Sequence, residues 1–600
     1  MCHQQSRKRR RGEKNGRGRD RGRLCQFGIA TIAWKTVAKC KPIPQRPTLA
    51  IVLLALSGTL SPVGAADGKW TISAVEESDG EPRVARIELT RPTVSRGGNR
   101  PTSRVKRLRI VRPLPGRTAV EAGFGFVLDG PTNLNLSEGG YEFRVSRGPE
   151  YRVIGGNSTI EKTSSDEHVF ALPRILNMRQ LGWTSGDCFV PWSRENLPIR
   201  MTAEDLHVAM AVANPVAREG DDPAKKVVEL RARRRRHEEP PLSDPLWIGN
   251  DVNALGGLAF YGSAATGPDA LATGSESEDP SETDSDLAAL QLLARLASQR
   301  RDSSAHPLVQ GKVAVENPFA WPLPVYLASD QVDGYFVLGD WLRLDRPITQ
   351  TKSGRPYSTS NHRTAISLGR EAEQIGWELL DAGFRMAPLA GSGDERGLHP
   401  VGYNRLYVAG ESIDSSSSSS QPVESAEQWW QGVWEGRSFA TNGPLLIANL
   451  DGKLPGHVFR VDAADPIQLR AELTLTVQDP VDYLEVIYNG QVHYSAKLDE
   501  YAKAGGKIPP LHVDRSGWAL IRVVTLYENH FRAATTAPWY FEVDGERRIT
   551  RSSIEFFQNW LAEYETYLRS QPDADLNAYA PFIRSARDFW QSRLQAVNAN

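Results

Sequence analysis

The sequence predicts an α/β multidomain protein, with strand–helix alternation through its centre and strand-rich segments on either side. Three observations carry that reading. A length of 600 residues exceeds what one hydrophobic core usually serves, so the chain divides into several domains. The middle alternates short apolar runs with amphipathic stretches, whereas both flanks read as strands set between turn residues. Apolar and charged fractions of 40% and 24% are those of an ordinary soluble globular protein.

Residues 1–65 read as a basic leader and signal peptide. Fourteen of the chain's Lys and Arg fall there against two acids, so the zero formal charge hides an acidic body. The stretch PTLAIVLLALSGTLSPVGAADG joins a short apolar run to small residues, the pattern of an export signal cleaved after Ala65. An uncleaved anchor or a basic nucleic-acid arm are the other readings of this leader, and the body itself offers no electrostatic surface for nucleic acid. Membrane association is expected only if the leader stays as an anchor. Cys2, Cys25 and Cys40 leave with it, and Cys188 alone remains, so disulfides within the mature chain and cysteine-based zinc sites are excluded.

Residues 68–175 carry RVARIEL, RVKRLRIV, FGFVLDG and YEFRVSRG, alternating runs that predict an N-terminal β-sandwich. Over 181–460, LHVAMAVAN, GGLAFYG, VDGYFVLG and YNRLYVAG read as strands, and EAEQIGWELLDAGF and AEQWWQGVWEGR as helices. An acidic insertion at about 265–285 predicts a disordered loop, followed by a helix in DLAALQLLARLASQR. The basic run in VVELRARRRRHEE reads as a solvated face and the serines at 415–420 as a flexible loop. Residues 466–545 predict a second β-sandwich. Residues 550–600 predict two closing helices, with Ser552 or Ser553 as N-cap.

Several segments together resemble the CehA/McbA family of metallohydrolases, which carry a PHP (polymerase and histidinol phosphatase) type barrel. They are RGPEYRV (147–153), GWTSGD (182–187), AEDLHVA (203–209) and ENPFAWPLPVYLASDQVDG (316–334). AGSGDERGLHPVGYNRLYV (390–408), GRSFATNGPLLIANLDGKLPGHVF (436–459) and TAPWYFEV (536–543) follow in order. The resemblance implies a PHP-like distorted (β/α) barrel, flanked by the two sandwiches, whose strand ends would hold divalent metals for hydrolysis. The departures fall on the metal motifs. Where the family has Gly-Asp-x-His-x-His, this chain has Gly186-Asp187-Cys188-Phe189-Val190-Pro191. Where the family commonly has Asn-Asn-His, it has Gly339-Asp340-Trp341. Phe189 and Pro191 cannot ligate an ion, and a multi-ligand site that loses three imidazoles loses tight binding of transition metals.

These departures lead to an expectation of an exported homologue that binds a small molecule or carbohydrate, or serves a structural role, without cofactor or hydrolytic chemistry. The alternative is an active hydrolase with an oxygen-ligand metal site rebuilt from Asp187, His207, Asp340, Asp394 and His399. Asp333 also falls at an expected strand end, His207 follows Glu204 and Asp205, and Cys188 lacks a visible base. Arg385, Asn404, Arg405, Arg437, Thr441 and Asn442 form a different candidate set, placed on strand-end turns. Arginine's planar fork suits a carboxylate or phosphate, so these residues either bind an anionic ligand without chemistry or tie loops to the barrel by hydrogen bonds.

Overall fold

Alternation decides which side chains enter the first core. In Ala85–Val94 every second residue, Ala85, Ile87 and Leu89, is buried with Trp70, Phe126 and Val145, and the residues between them face the other way. This strand pairs with Gly139–Ser146, Gly125–Leu128 and Ser103–Leu108. A second sheet, Thr132–Leu136, Gly68–Glu76 and Ser165–Leu172, closes over the same core. The register sets Arg86 opposite Ser146 and Glu88 opposite Arg144, so four polar side chains share the outer face. This polar strip becomes one wall of the cleft described below.

The computed structural model describes residues 68–94, 103–108, 120–190, 196–212, 228–230, 246–262, 282–302, 311–339, 341, 354–355, 365–393, 399–410, 422–526 and 531–599. The leader at 1–65, most of the acidic insertion, the basic run at 231–239 and the serines at 415–420 lie outside these residues. The insertion's last residues, from Glu282 on, belong instead to the helix Glu282–Asp302. Acidic side chains are favoured in a first helical turn, where the backbone N–H groups present partial positive charge.

The central region does not form the closed (β/α) barrel that was expected, and the molecule is dominated by β-sheet. One large mixed sheet runs from Ala387–Ala390 through Gly334–Leu338, Lys312–Val315 and Leu258–Tyr261 to Leu246–Leu255. It continues through Val208–Val212, Trp183–Val190 and Arg405–Ala409 to Ser438–Thr441. Beyond these it passes through Ala533–Thr536, Gly517–Thr525 and Val481–Tyr488 to Gln491–Ala496. Among the described residues its two ends do not pair, so no closed barrel forms there.

Turn chemistry explains the departure. Gly256 and Gly257, both with positive φ, form a two-residue turn that pairs Leu246–Leu255 antiparallel with Leu258–Tyr261. A β/α repeat needs a crossover helix at that point. The strand Arg405–Ala409 likewise runs antiparallel to Trp183–Val190. Where Ala387–Ala390 ends, Gly393 N–H reaches Phe189 C=O at 3.0 Å without a ladder forming.

The Trp183–Val190 strand is buried along its whole length. Trp183 faces the core beneath the C-terminal strands, while Cys188 faces the core beneath the helices. Above it lies the helix Ala426–Trp434, capped by Ser425, whose side chain accepts from Gln428 N at 3.2 Å. Trp429 Nε1 donates to Thr184 O at 3.0 Å, and a Cβ at Gly186 would lie 2.2 Å from the indole. Glycine is therefore required at position 186 for packing.

The closing helices are Arg551–Ser570 and Leu576–Gln595. The first is capped by Thr550, whose hydroxyl accepts from Ser553 N, rather than by Ser552 or Ser553. Ile554, Phe557 and Leu561 enter the central core, each contributing about 1.5–3 kcal/mol by burial. Trp560 and Trp590 donate to Trp321 O and Pro324 O, at 3.1 and 3.0 Å.

Candidate functional site

Asp187 sits where the Trp183–Val190 strand approaches Gly391, Ser392 and Gly402, and it is fully buried. Its Oδ1 accepts from Phe189 N and Ser392 N, both at 3.1 Å, and its Oδ2 accepts from Gly402 N at 2.8 Å. Burial pushes its carboxyl up to about 6, and the hydrogen bonds from Ser392, Phe189 and Gly402 hold that rise in check. The carboxylate thus ties its own strand to the loops at Ser392 and Gly402 through backbone amides, and both of its oxygens are already engaged.

Ser392 continues this polar thread. Its Oγ accepts from Asn404 N at 3.1 Å, and its carbonyl accepts from His399 Nδ1 at 2.9 Å. The His399 ring stacks on Tyr403, with centroids 5.1 Å apart. Asn404 Nδ2 donates to Gly339 O and Gly391 O at 3.1 and 3.0 Å, and Asn404 Oδ1 accepts from Asn442 Nδ2 at 3.2 Å. Asn442 then ties in Phe531 O and Ala533 N, at 2.9 and 2.8 Å. Asp187, His399, Asn404 and Asn442 are therefore brought together, through a serine that sequence reasoning missed. Its only signal was its place in AGSGD, beside the weighed Asp394.

His207 stands apart from this thread. Its Nδ1 lies 2.9 Å from Ser185 Oγ, which also donates to Asp205 O at 3.1 Å. With that hydroxyl proton spent on a carbonyl, the consistent arrangement has His207 Nδ1–H donating to Ser185 Oγ. The pair therefore lacks the polarity of a nucleophile and its base.

Asp205 is buried between Arg147, at 2.9 Å, and Arg174. Burial acts to raise its carboxyl, and the two guanidinium groups outweigh that and hold it below the usual range. Neighbouring Glu150 is raised, first by burial and then by the Asp205 charge. It accepts from Met178 N at 2.9 Å and Tyr407 OH at 3.1 Å.

The remaining candidates separate. Asp333 is tied to Arg300 at 2.7 Å and Lys312 at 2.9 Å. Burial pushes the Cys188 thiol well up, against nucleophilic use. Arg385 bonds Glu542 and lies over the Tyr540 ring, and Arg437 pairs with Glu435. Neither lines the cleft. Asp340, Asp394 and Pro191 lie outside the described residues. Among the described residues, no three His, Cys, Asp or Glu side chains converge as a metal site.

Arg405, Thr441 and Asn442 instead line a cleft of about 820 Å³ where three parts of the chain meet. Its first wall is the outer strip of Arg86, Glu88, Arg144 and Ser146. Its second comes from Gly402 to Arg405 and from Thr441 to Gly443, and its third from Thr476 to Asp479 with Arg532. Gln478 joins the third wall to the first, accepting from Val153 N at 3.1 Å and donating to Tyr151 O at 2.8 Å.

Several lining charges are internally spent. Arg86 pairs with Glu88 and Glu204, Arg532 with Asp479 at 2.7 Å, and Arg405 donates to Gly402 O and Glu204 O. Thr441 Oγ1 donates to Pro444 O. Arg144 and Arg152 are exposed and have no ion-pair partner among the described residues. The period-two pattern in YEFRVSRG signalled an outward Arg144, but it could not reveal what the outward face would meet.

No family model and no curated protein matches the chain. A solved structure, the N-terminal four immunoglobulin domains of Dscam1 isoform 8.4, is 7% identical, covering 79% of this chain and 72% of that one. Its TM-score is 0.12.

Proposed function

We propose that the protein is an exported, non-catalytic homologue of the metallohydrolases it resembles, and that it binds a small polar ligand in the three-walled cleft. One observation carries this reading. Asp187, the acid retained from the Gly-Asp motif, gives both carboxylate oxygens to three backbone amides. Three of the carboxylate's four acceptor positions are taken by amides and the group is fully buried, which supports a role as a fastener between loops rather than as a ligand to an open ion site. The cleft supports the binding half of the proposal. It has the size of small-molecule sites, it is lined by groups that hydrogen bond, and it lies where separate parts of the chain converge.

Metal analysis of the purified mature protein tests the reading. The expected result is substoichiometric Mn, Zn and Ca, unchanged by Asp394→Ala or His399→Ala. One or more equivalents of metal, lost in those variants, would overturn it. Export is tested by the N-terminal sequence of the mature chain, expected to begin at Ala66.

A further inference from the structure

Building on the cleft as a binding site, we infer that its ligand is an acidic carbohydrate, a short sugar chain bearing carboxylates, with Arg144 and Arg152 receiving its charge. Position comes first. Arg144 lies on Gly139–Ser146, and Arg152 lies just before Ile154–Ile160, which pairs with it. Both therefore stand on the same sandwich wall of the cleft.

Availability comes second. Five arginines line the cleft, Arg86, Arg144, Arg152, Arg405 and Arg532, against three acids, Glu88, Glu204 and Asp479. Arg144 and Arg152 are in no ion pair among the described residues, so they present its excess positive charge. Arginine's fixed fork presents two parallel N–H groups to a carboxylate, a geometry that lysine does not offer.

The third argument concerns size. A cleft of about 820 Å³ is far larger than an inorganic anion needs. The hydroxyls of Ser146 and Thr476 also line it, with no hydrogen-bond partner among the described residues. Phe124 and Tyr403 also line it. Hydroxyls, aromatic side chains and two guanidinium groups in one cleft suit a polyhydroxylated anion better than an apolar acid.

Calorimetric titration of the mature protein with trigalacturonate, maltotriose and inorganic phosphate tests this inference. Trigalacturonate is expected to bind one-to-one, with maltotriose and phosphate at least tenfold weaker. Arg144→Gln and Arg152→Gln should each weaken trigalacturonate about tenfold or more with unchanged melting temperature, since neither side chain supports the fold. Equal binding of maltotriose would show that charge is not read. Equal binding of phosphate would show that the sugar is not read. Binding unaffected by both substitutions would place the ligand elsewhere, and no binding of trigalacturonate would refute the inference outright. All four results overturn it while leaving the non-catalytic reading to the metal analysis.

Discussion

The thread around Asp187 and the sandwich wall of the cleft are both polar, yet they use their polarity in opposite ways. In the thread, Asp187, Ser392, Asn404 and Asn442 are buried and spend their hydrogen bonds on one another and on backbone groups. On the wall, Arg144 and Arg152 are exposed and take part in no ion pair among the described residues. The difference separates polarity that holds the fold from polarity left over for a partner. A substitution in the thread should therefore register in stability, and one on the wall in binding.

The largest effect is expected just beside the thread. Asp205→Ala leaves Arg147 buried without its carboxylate, and breaking such a pair costs about 3–5 kcal/mol, measured by urea unfolding. Asp187→Ala follows, since three buried amides lose their acceptor, at a cost of about 3 kcal/mol or more. Gly186→Ala forces a methyl into the Trp429 ring and should cost about 1–3 kcal/mol by overpacking. At the other extreme, Arg144→Gln should move stability by less than about 0.5 kcal/mol, as an exposed side chain without a partner does. A wall substitution that destabilised as much as a thread substitution would erase the distinction.

Dependence on pH sharpens the same contrast. The folded pKa of Asp187, about 6, lies above its ordinary value of 3.8. Its titration therefore favours the fold fully below about pH 4, and this contribution is lost as pH rises through about 6. Asp187→Asn removes the titration, so wild type should gain stability over the variant as pH falls from 7.5 to 4.5. A gap that stays constant over that range, followed by thermal melts, would mean that the carboxyl titrates normally.

Local structure was well written in the sequence. Alternation in RVARIEL and YEFRVSRG placed both faces of their strands, and the 3.6-residue spacing of AEQWWQGVW marked its helix. The architecture was less legible, because strand-like runs do not state their partners. Gly256-Gly257 carried a hairpin signal that was read only as part of an apolar run, and that hairpin is what replaces a barrel repeat. The site followed the same rule. That Phe189 and Pro191 offer no imidazole could be read directly. That Asp187 accepts from the amides of Ser392 and Gly402, more than 200 residues away, was a matter of packing. Arg385 and Arg405 look alike in sequence, yet one braces the C-terminal strands and the other lines the cleft.

Unfolding in the presence of a chelator tests most directly the proposal that Asp187 serves the fold and not an ion. Wild type and Asp187→Ala would be unfolded in urea with EDTA, and again with excess Mn²⁺. The account predicts that the variant is less stable by about 3 kcal/mol in EDTA, and that Mn²⁺ leaves wild type unmoved. Equal stabilities in EDTA, with wild type alone stabilised by Mn²⁺, would contradict it.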